Sequence, residues 1–241
     1  MSETRKRYFF RLVCRCIVLV LCFVLYALRP EEFDVLQGWS FFREFSLLHL
    51  LWLVWAADTI QQIVPIKNKL PLGSMKLFQS RFKPIRDRIN YDALHDYIIT
   101  TTKAAYKVFL LWCGLLAVIG VLYYAGILND AGLFLISAAF YVCDLICVLI
   151  WCPFRLLMRT RCCTTCRIFN WDHLMMFTPM IFMGGFYAVS LLSLAFLAWL
   201  VWELCIMMYP ERFWDKSNAA LKCSNCTDKL CTQYCQKLRN R

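Results

Sequence analysis

Histidine and acid are what this sequence has little of. Three histidines occur among 241 residues, His49, His95 and His173. That scarcity argues against haem or dinuclear metal chemistry built on several imidazoles. Asp and Glu number 16 against 27 Lys and Arg, and charged residues make up 18% of the chain. Glycine is sparse too, with eight residues. There is no GxGxxG, no Walker sequence, no HExxH and no GxSxG. Dinucleotide, phosphate-loop, zincin and serine-hydrolase chemistry therefore have no support, and a non-enzymatic role is expected. Repeats and low-complexity segments are also missing.

Hydrocarbon is abundant. Hydrophobic residues are 61% of the chain, where a soluble domain holds about half. They lie in long runs, and a membrane span needs about 20 such residues. The expected fold is an all-α, polytopic transmembrane bundle of five or six spans with a small cysteine-rich cytoplasmic module. The bundle occupies residues 1–210 and a cysteine-rich tail occupies 211–241. The 16% aromatic content suits interfacial belts of Trp and Tyr. The partners this implies are the lipid bilayer and a membrane-protein partner or a second copy of the chain. Nucleic acid is not expected, because no basic patch is interleaved with stacking aromatics.

The first span is expected over 12–28. Arg5, Lys6, Arg7 and Arg11 precede it, and Arg15 near its start can snorkel to the interface. The run ends at Arg29-Pro30 without a small-residue cleavage site, so it reads as a retained span. A second span lies within 41–64. Residues 66–103 form a basic loop, in which 90–101 suit a short helix on the membrane surface. Spans over 105–128 and 131–151 follow, joined at Asn129-Asp130. A basic, cysteine-rich loop fills 153–172. The stretch 173–210 is 38 residues long. It reads as a tight hairpin turning near Gly184-Gly185, or as one span preceded by a segment lying flat over 168–177.

Charge sets the orientation. The N-terminus and both loops are basic, whereas the connections near Glu31 and Asp130 are acidic. Positive segments stay inside, which puts the N-terminus in the cytoplasm. The tail holds seven Lys or Arg against three acids, which favours an even number of crossings with the tail inside as well.

Fifteen cysteines are present. Cys14, Cys16, Cys22, Cys113, Cys143, Cys147 and Cys205 fall in or at the ends of spans, where the thiol packs as a small hydrophobe. Seven others cluster in connections: Cys162, Cys163 and Cys166 in the loop, and Cys223, Cys226, Cys231 and Cys235 in the tail. Two CxxC pairs result, and that spacing lets two thiolates bind one tetrahedral metal. Arg161, Arg167, Lys222 and Lys229 flank them as cations that favour thiolate. Three chemistries fit: a Zn2+ site joining loop and tail, an iron–sulfur cluster, and CxxC thiol exchange. Zinc suits closely spaced thiols in a reducing compartment.

Asp144 falls near the middle of the fourth span, where an ionised carboxylate is costly. It reads as an ion or proton site, or as a helix-paired carboxylate that orients packing. Cys147, His49 and Glu203 are its expected companions in a transport site; Asp58 is a further carboxylate at the end of the second span. Met175, Met176, Met180 and Met183 offer thioethers, which suit Cu(I) but also fill ordinary apolar gaps; they read as packing. Three functions follow from these residues. The first is a membrane protein with a structural or regulatory zinc–thiolate site. The second is an ion or metal transporter using Asp144, and the third is a membrane redox protein.

Overall fold

The computed structural model describes residues 3–63, 82–85, 89–158 and 166–225. Most of those residues are helical, with no strand among them. The helices are α1 Glu3–Leu28, α2 Leu48–Ile63, α3 Tyr91–Tyr124, α4 Asp130–Leu149, α5 Phe154–Met158, α6 Asp172–Phe177 and α7 Phe186–Met208. Short 3-10 turns link them. Four helices are long and apolar enough to cross a bilayer: α1, α3, α4 and α7.

These helices form where apolar runs are long and uninterrupted. Asn129 starts α4 by accepting the Gly132 N–H on its side chain at 2.8 Å. Asn90 starts α3 in the same way, from the Ala93 N–H at 3.1 Å. No Gly or Pro occurs between Asn90 and Gly114. The expected surface helix over 90–101 and the following span are therefore one helix of 34 residues. By contrast α2 has 16 residues and a length of about 24 Å, short of the roughly 30 Å hydrocarbon core.

Side-chain contacts fix the packing. α1 runs antiparallel to α4: the Tyr26 hydroxyl accepts from Asn129 at 3.0 Å, and Tyr8 and Leu12 pack with Leu145 and Val148. α2 runs parallel to α7, with the Tyr187 hydroxyl on the Leu48 carbonyl at 3.0 Å and Trp52 on Ser190 at 2.9 Å. Trp55 is fully buried at the centre, against Phe134, Tyr141 and Phe177. Large apolar side chains such as Phe10, Ile17, Leu110 and Val121 face outward, as a lipid-facing surface requires.

Between α6 and α7 the chain makes an irregular return. Asp172 meets Gln62 at the end of α2, Thr178 accepts from Trp112, and Phe182 stacks on Tyr123. The segment thus rises alongside α3. Pro179 converts the helix to a 3-10 turn over Thr178–Phe182, since proline cannot sit inside an α-helix without clashing. Gly184 then turns at φ +67°, a left-handed conformation that suits glycine. At Gly185 a Cβ would lie 2.1 Å from the Leu36 carbonyl oxygen, so only hydrogen fits.

Candidate functional site

Two groups of side chains inside the bundle carry chemistry, and they share a wall. The first is a charge cluster. Arg15 Nη1 donates to Asp144 Oδ2 at 2.9 Å and to the Tyr141 carbonyl at 2.7 Å. Its guanidinium lies 3.7 Å from the centre of the Tyr141 ring. Arg15 Nη2 stands 3.9 Å from Asp58 Oδ2, and that oxygen accepts the Tyr141 hydroxyl at 2.9 Å. The side chains of Arg15 and Asp144 are 13% and 18% exposed. A charge-assisted pair in so dry a place is strong.

Next to that pair, Gln62 Nε2 donates to both oxygens of Asp172 at 2.8 and 3.0 Å. His173 Nδ1 stands 2.9 Å from Asp172 Oδ1. His173 Nε2 and Gln62 Oε1 are buried with no hydrogen-bond partner. A cavity of about 50 Å3 joins these groups, lined by Tyr8, Arg11, Arg15, Asp58, Asp144, Asp172 and His173 among others. A water needs about 10–15 Å3 of such space, so the cavity has room for water.

The second group is a cavity of about 270 Å3 on the other side of Asp144 and Asp172. Its walls are aromatic rings, aliphatic chains and sulfur, with Asp144, Asp172 and Arg155 as the charged residues. Cys143, Cys147, Cys152 and Cys166 line it with Met175 and Met176. Cys143 and Cys147 are four apart and share a face of α4. Beyond the helix, the Ile150 and Trp151 N–H groups both donate to the Ile146 carbonyl, and this turn brings Cys152 back to Cys147.

No family model, curated protein or solved structure matches this chain. The site must therefore be read from its own residues.

Of the expected residues, the fold brings Asp144 and Cys147 together on α4 and keeps two apart. Both ring nitrogens of His49 are engaged, Nδ1 by the backbone of Ser46 and Nε2 by the Phe41 carbonyl at 2.8 Å. No lone pair is left for a metal. Glu203 accepts from Arg167 Nε at 3.1 Å, from Arg167 Nη2 and from Trp171 Nε1 at 2.7 Å. Arg167 also donates to Thr102, so this forked pair fastens the cysteine-rich loop to α3 and α7. Of the zinc ligands expected in loop and tail, Cys166 is buried in the larger cavity. Cys162, Cys163, Cys226, Cys231 and Cys235, and the side chain of Cys223, lie outside the described residues. Among the described residues, no three His, Cys, Asp or Glu side chains stand close enough to hold one metal ion.

Sequence reasoning missed five residues. Arg15 was expected at the interface, but it turns inward to Asp144. Gln62 enters from the last turn of α2, and Asp172 and His173 through the irregular α6 segment, which carries no clear periodicity. Cys152 gave a weak signal, a C-x4-C spacing with Cys147 that runs over a helix end.

Proposed function

We propose that the chain is a six-crossing membrane transporter that takes up and releases a proton at the cluster of Arg15, Asp58, Asp144, Asp172 and His173. Both termini are cytoplasmic in this reading. Crossings one, three, four and six are α1, α3, α4 and α7; crossings two and five are α2 and the return over 172–183, which are shorter than the hydrocarbon core and pack against the helices of the bundle interior. The positive-inside bias of the N-terminus and both loops supports this order. So does the docking of residues beyond α7 on the basic loop, where the Ala219 N–H donates to the Lys83 carbonyl at 2.8 Å.

The observation that carries the reading is the charge balance of the cluster. Its groups come from four elements: Arg11 and Arg15 on α1, Asp58 on α2, Asp144 on α4, and Asp172 with His173 on α6. Arg11 is exposed and the Asp58 side chain is 36% exposed, so the buried groups are Arg15, Asp144, Asp172 and His173; with both carboxylates ionised, they carry one uncompensated negative charge when His173 is neutral, and none when it is protonated. Buried net charge is costly, so a proton entering at His173 relieves the cluster and its departure charges it again. Gln62 and His173 line the small cavity, and His173 Nε2 is buried with no hydrogen-bond partner. Intramembrane ionisable groups mark proton and ion pathways in transporters.

Proteoliposomes holding the full chain and an internal pH dye test this. A valinomycin-set potassium potential should drive proton entry faster than in protein-free vesicles. His173→Gln and Asp58→Asn should slow it about a hundredfold, the lower end of what one positioned proton-transfer group contributes. Wild-type flux equal to that of empty vesicles, or variants as fast as wild type, would end the proposal.

A second reading keeps the Zn2+–thiolate site between loop and tail. What favours it is where both segments dock. Arg167, next to Cys166, bonds Thr102 of α3, and the Phe213 carbonyl before the tail cysteines accepts from Tyr97 of the same helix at 3.1 Å. Five residues of helix separate the two anchors, about 7.5 Å of rise. Zinc near one per chain in purified protein supports this reading, and iron absorption points instead to a cluster.

A further inference from the structure

The larger cavity is left unused by proton chemistry, yet it shares Asp144 and Asp172 with the small one. Most of its other lining is apolar, and four aromatic side chains stand there: Trp112, Phe140, Phe154 and Phe169. Trp112 and Phe140 meet with ring centres 5.1 Å apart. The Trp112 N–H is spent on the Thr178 hydroxyl at 2.9 Å, which leaves the cavity the indole ring and not its donor. A volume of about 270 Å3 admits a one-ring organic molecule.

We propose that this cavity binds a small lipophilic organic cation, a one-ring ammonium, and that the cation and a proton on His173 exclude each other. The apolar body lies on the aromatic wall and the charge lies toward Asp144 and Asp172. Aromatic faces attract cations, more strongly where water is excluded. The two carboxylates disfavour other occupants. A neutral hydrocarbon or a lipid chain laid over them strips their water and returns nothing. An anion is repelled. Mg2+ or Ca2+ needs six or more oxygens, more than two carboxylates supply. Arg155 lines the same cavity. It belongs to α5, past the end of α4, whereas Asp144 lies five residues inside α4, so a cation settles toward the carboxylates and away from the guanidinium.

The exclusion is a matter of charge. Arg15, Asp144, Asp172 and a protonated His173 sum to zero. Without that proton they hold one negative charge, and a monovalent cation in the larger cavity restores the balance. One cation therefore enters as one N–H bond at His173 breaks. The proton passes to water, for which the small cavity has room, and no electron moves. The charged groups that line the small cavity with His173 are Arg11 and Arg15 on α1, Asp58 on α2, Asp144 on α4 and Asp172 on α6. Arg155 on α5 lines only the larger one. Cation binding stands on the cavity; its exchange for a proton rests on the proton reading above.

The test titrates full-length protein in detergent with tritiated phenyltrimethylammonium, read by scintillation proximity. One cation should bind per chain. Its uncharged isostere tert-butylbenzene and the anion benzenesulfonate, in equal amount, should not displace it. Displacement by either, or no saturable binding, overturns the site. Asp172→Asn should weaken binding about tenfold, the scale of one charge pair at a partly screened position, and an unchanged affinity counts against the site. Arg155→Gln should bind at least as tightly as wild type. Weaker binding there marks a pocket for anions and overturns the proposal even where Asp172→Asn misfolds. Wild-type affinity should fall as pH drops through the histidine range, about 8 to 5, and His173→Gln should bind without that dependence. A flat wild-type profile, or a His173→Gln profile like the wild type, overturns the exclusion. Proton flux without cation binding rejects this site and keeps the proton reading, whereas cation binding without proton flux does the reverse.

Discussion

Arg15 is the residue on which the interior turns. It bonds the side chain of a residue 129 positions away, binds a backbone carbonyl of the same helix, and lies against an aromatic face. Removing one partner of such a pair leaves a buried charge exposed to hydrocarbon. Arg15→Gln should cost about 3–5 kcal/mol, read as a lower melting temperature in detergent. The joint replacement Arg15→Met/Asp144→Leu should recover most of that loss, because a packed apolar pair has no charge to desolvate. A single variant that melts with the wild type would show that the pair adds nothing. In the sequence, Asp144 stood out because a carboxylate inside an apolar run is costly. Its partner did not, because a basic residue near the start of a span looks the same whether it reaches outward to headgroups or inward to a carboxylate. His49 was misleading for the opposite reason. A histidine in an apolar run invites a functional reading, yet this one spends both nitrogens on a local turn.

At the level of elements, the return between α6 and α7 decides the shape of the bundle. Thirty-eight residues with one carboxylate fit one span or two by length alone. Pro179, Gly184 and Gly185 resolve the path locally: proline breaks the helix, and the two glycines turn the chain against Leu36. A methyl group at 185 collides with a backbone carbonyl, which has no rotamer to yield. Gly185→Ala should therefore destabilise by about 1–3 kcal/mol, measured as loss of thermal stability and of the monodisperse peak on gel filtration. An unchanged melting temperature would mean that the turn relaxes freely. The helical runs themselves were legible, since each is a continuous apolar stretch. The start of α3 was not, because residues 90–104 are polar enough to read as surface and only the absence of a breaker joins them to the span. Pairing of α2 with α7 was also out of reach, as both are apolar over most of their surface and show no stripe to match.

For the whole molecule, sidedness is the claim with the widest reach. If the crossings number six, an impermeant maleimide should label Cys223 and Cys226 in permeabilised cells and spare them in intact ones, as read by peptide mass spectrometry. A cysteine introduced at Gln37 should show the reverse. Tail labelling in intact cells would discard the six-crossing order. The cysteine pattern of loop and tail was plain in the sequence, whereas the cavity thiols were not, because sulfur inside an apolar helix is indistinguishable from packing until its neighbours are known. The length of α3 has one more effect. A rod of 34 residues is about 51 Å long, and a bilayer core of about 30 Å leaves some 20 Å of it standing clear. Phe213 and Trp214 grip that stalk at Tyr97, and Arg167 grips it at Thr102. A thinner bilayer tilts long helices. The stalk would then work as a lever, turning lipid thickness at one end into a swing of the cysteine-bearing segments at the other.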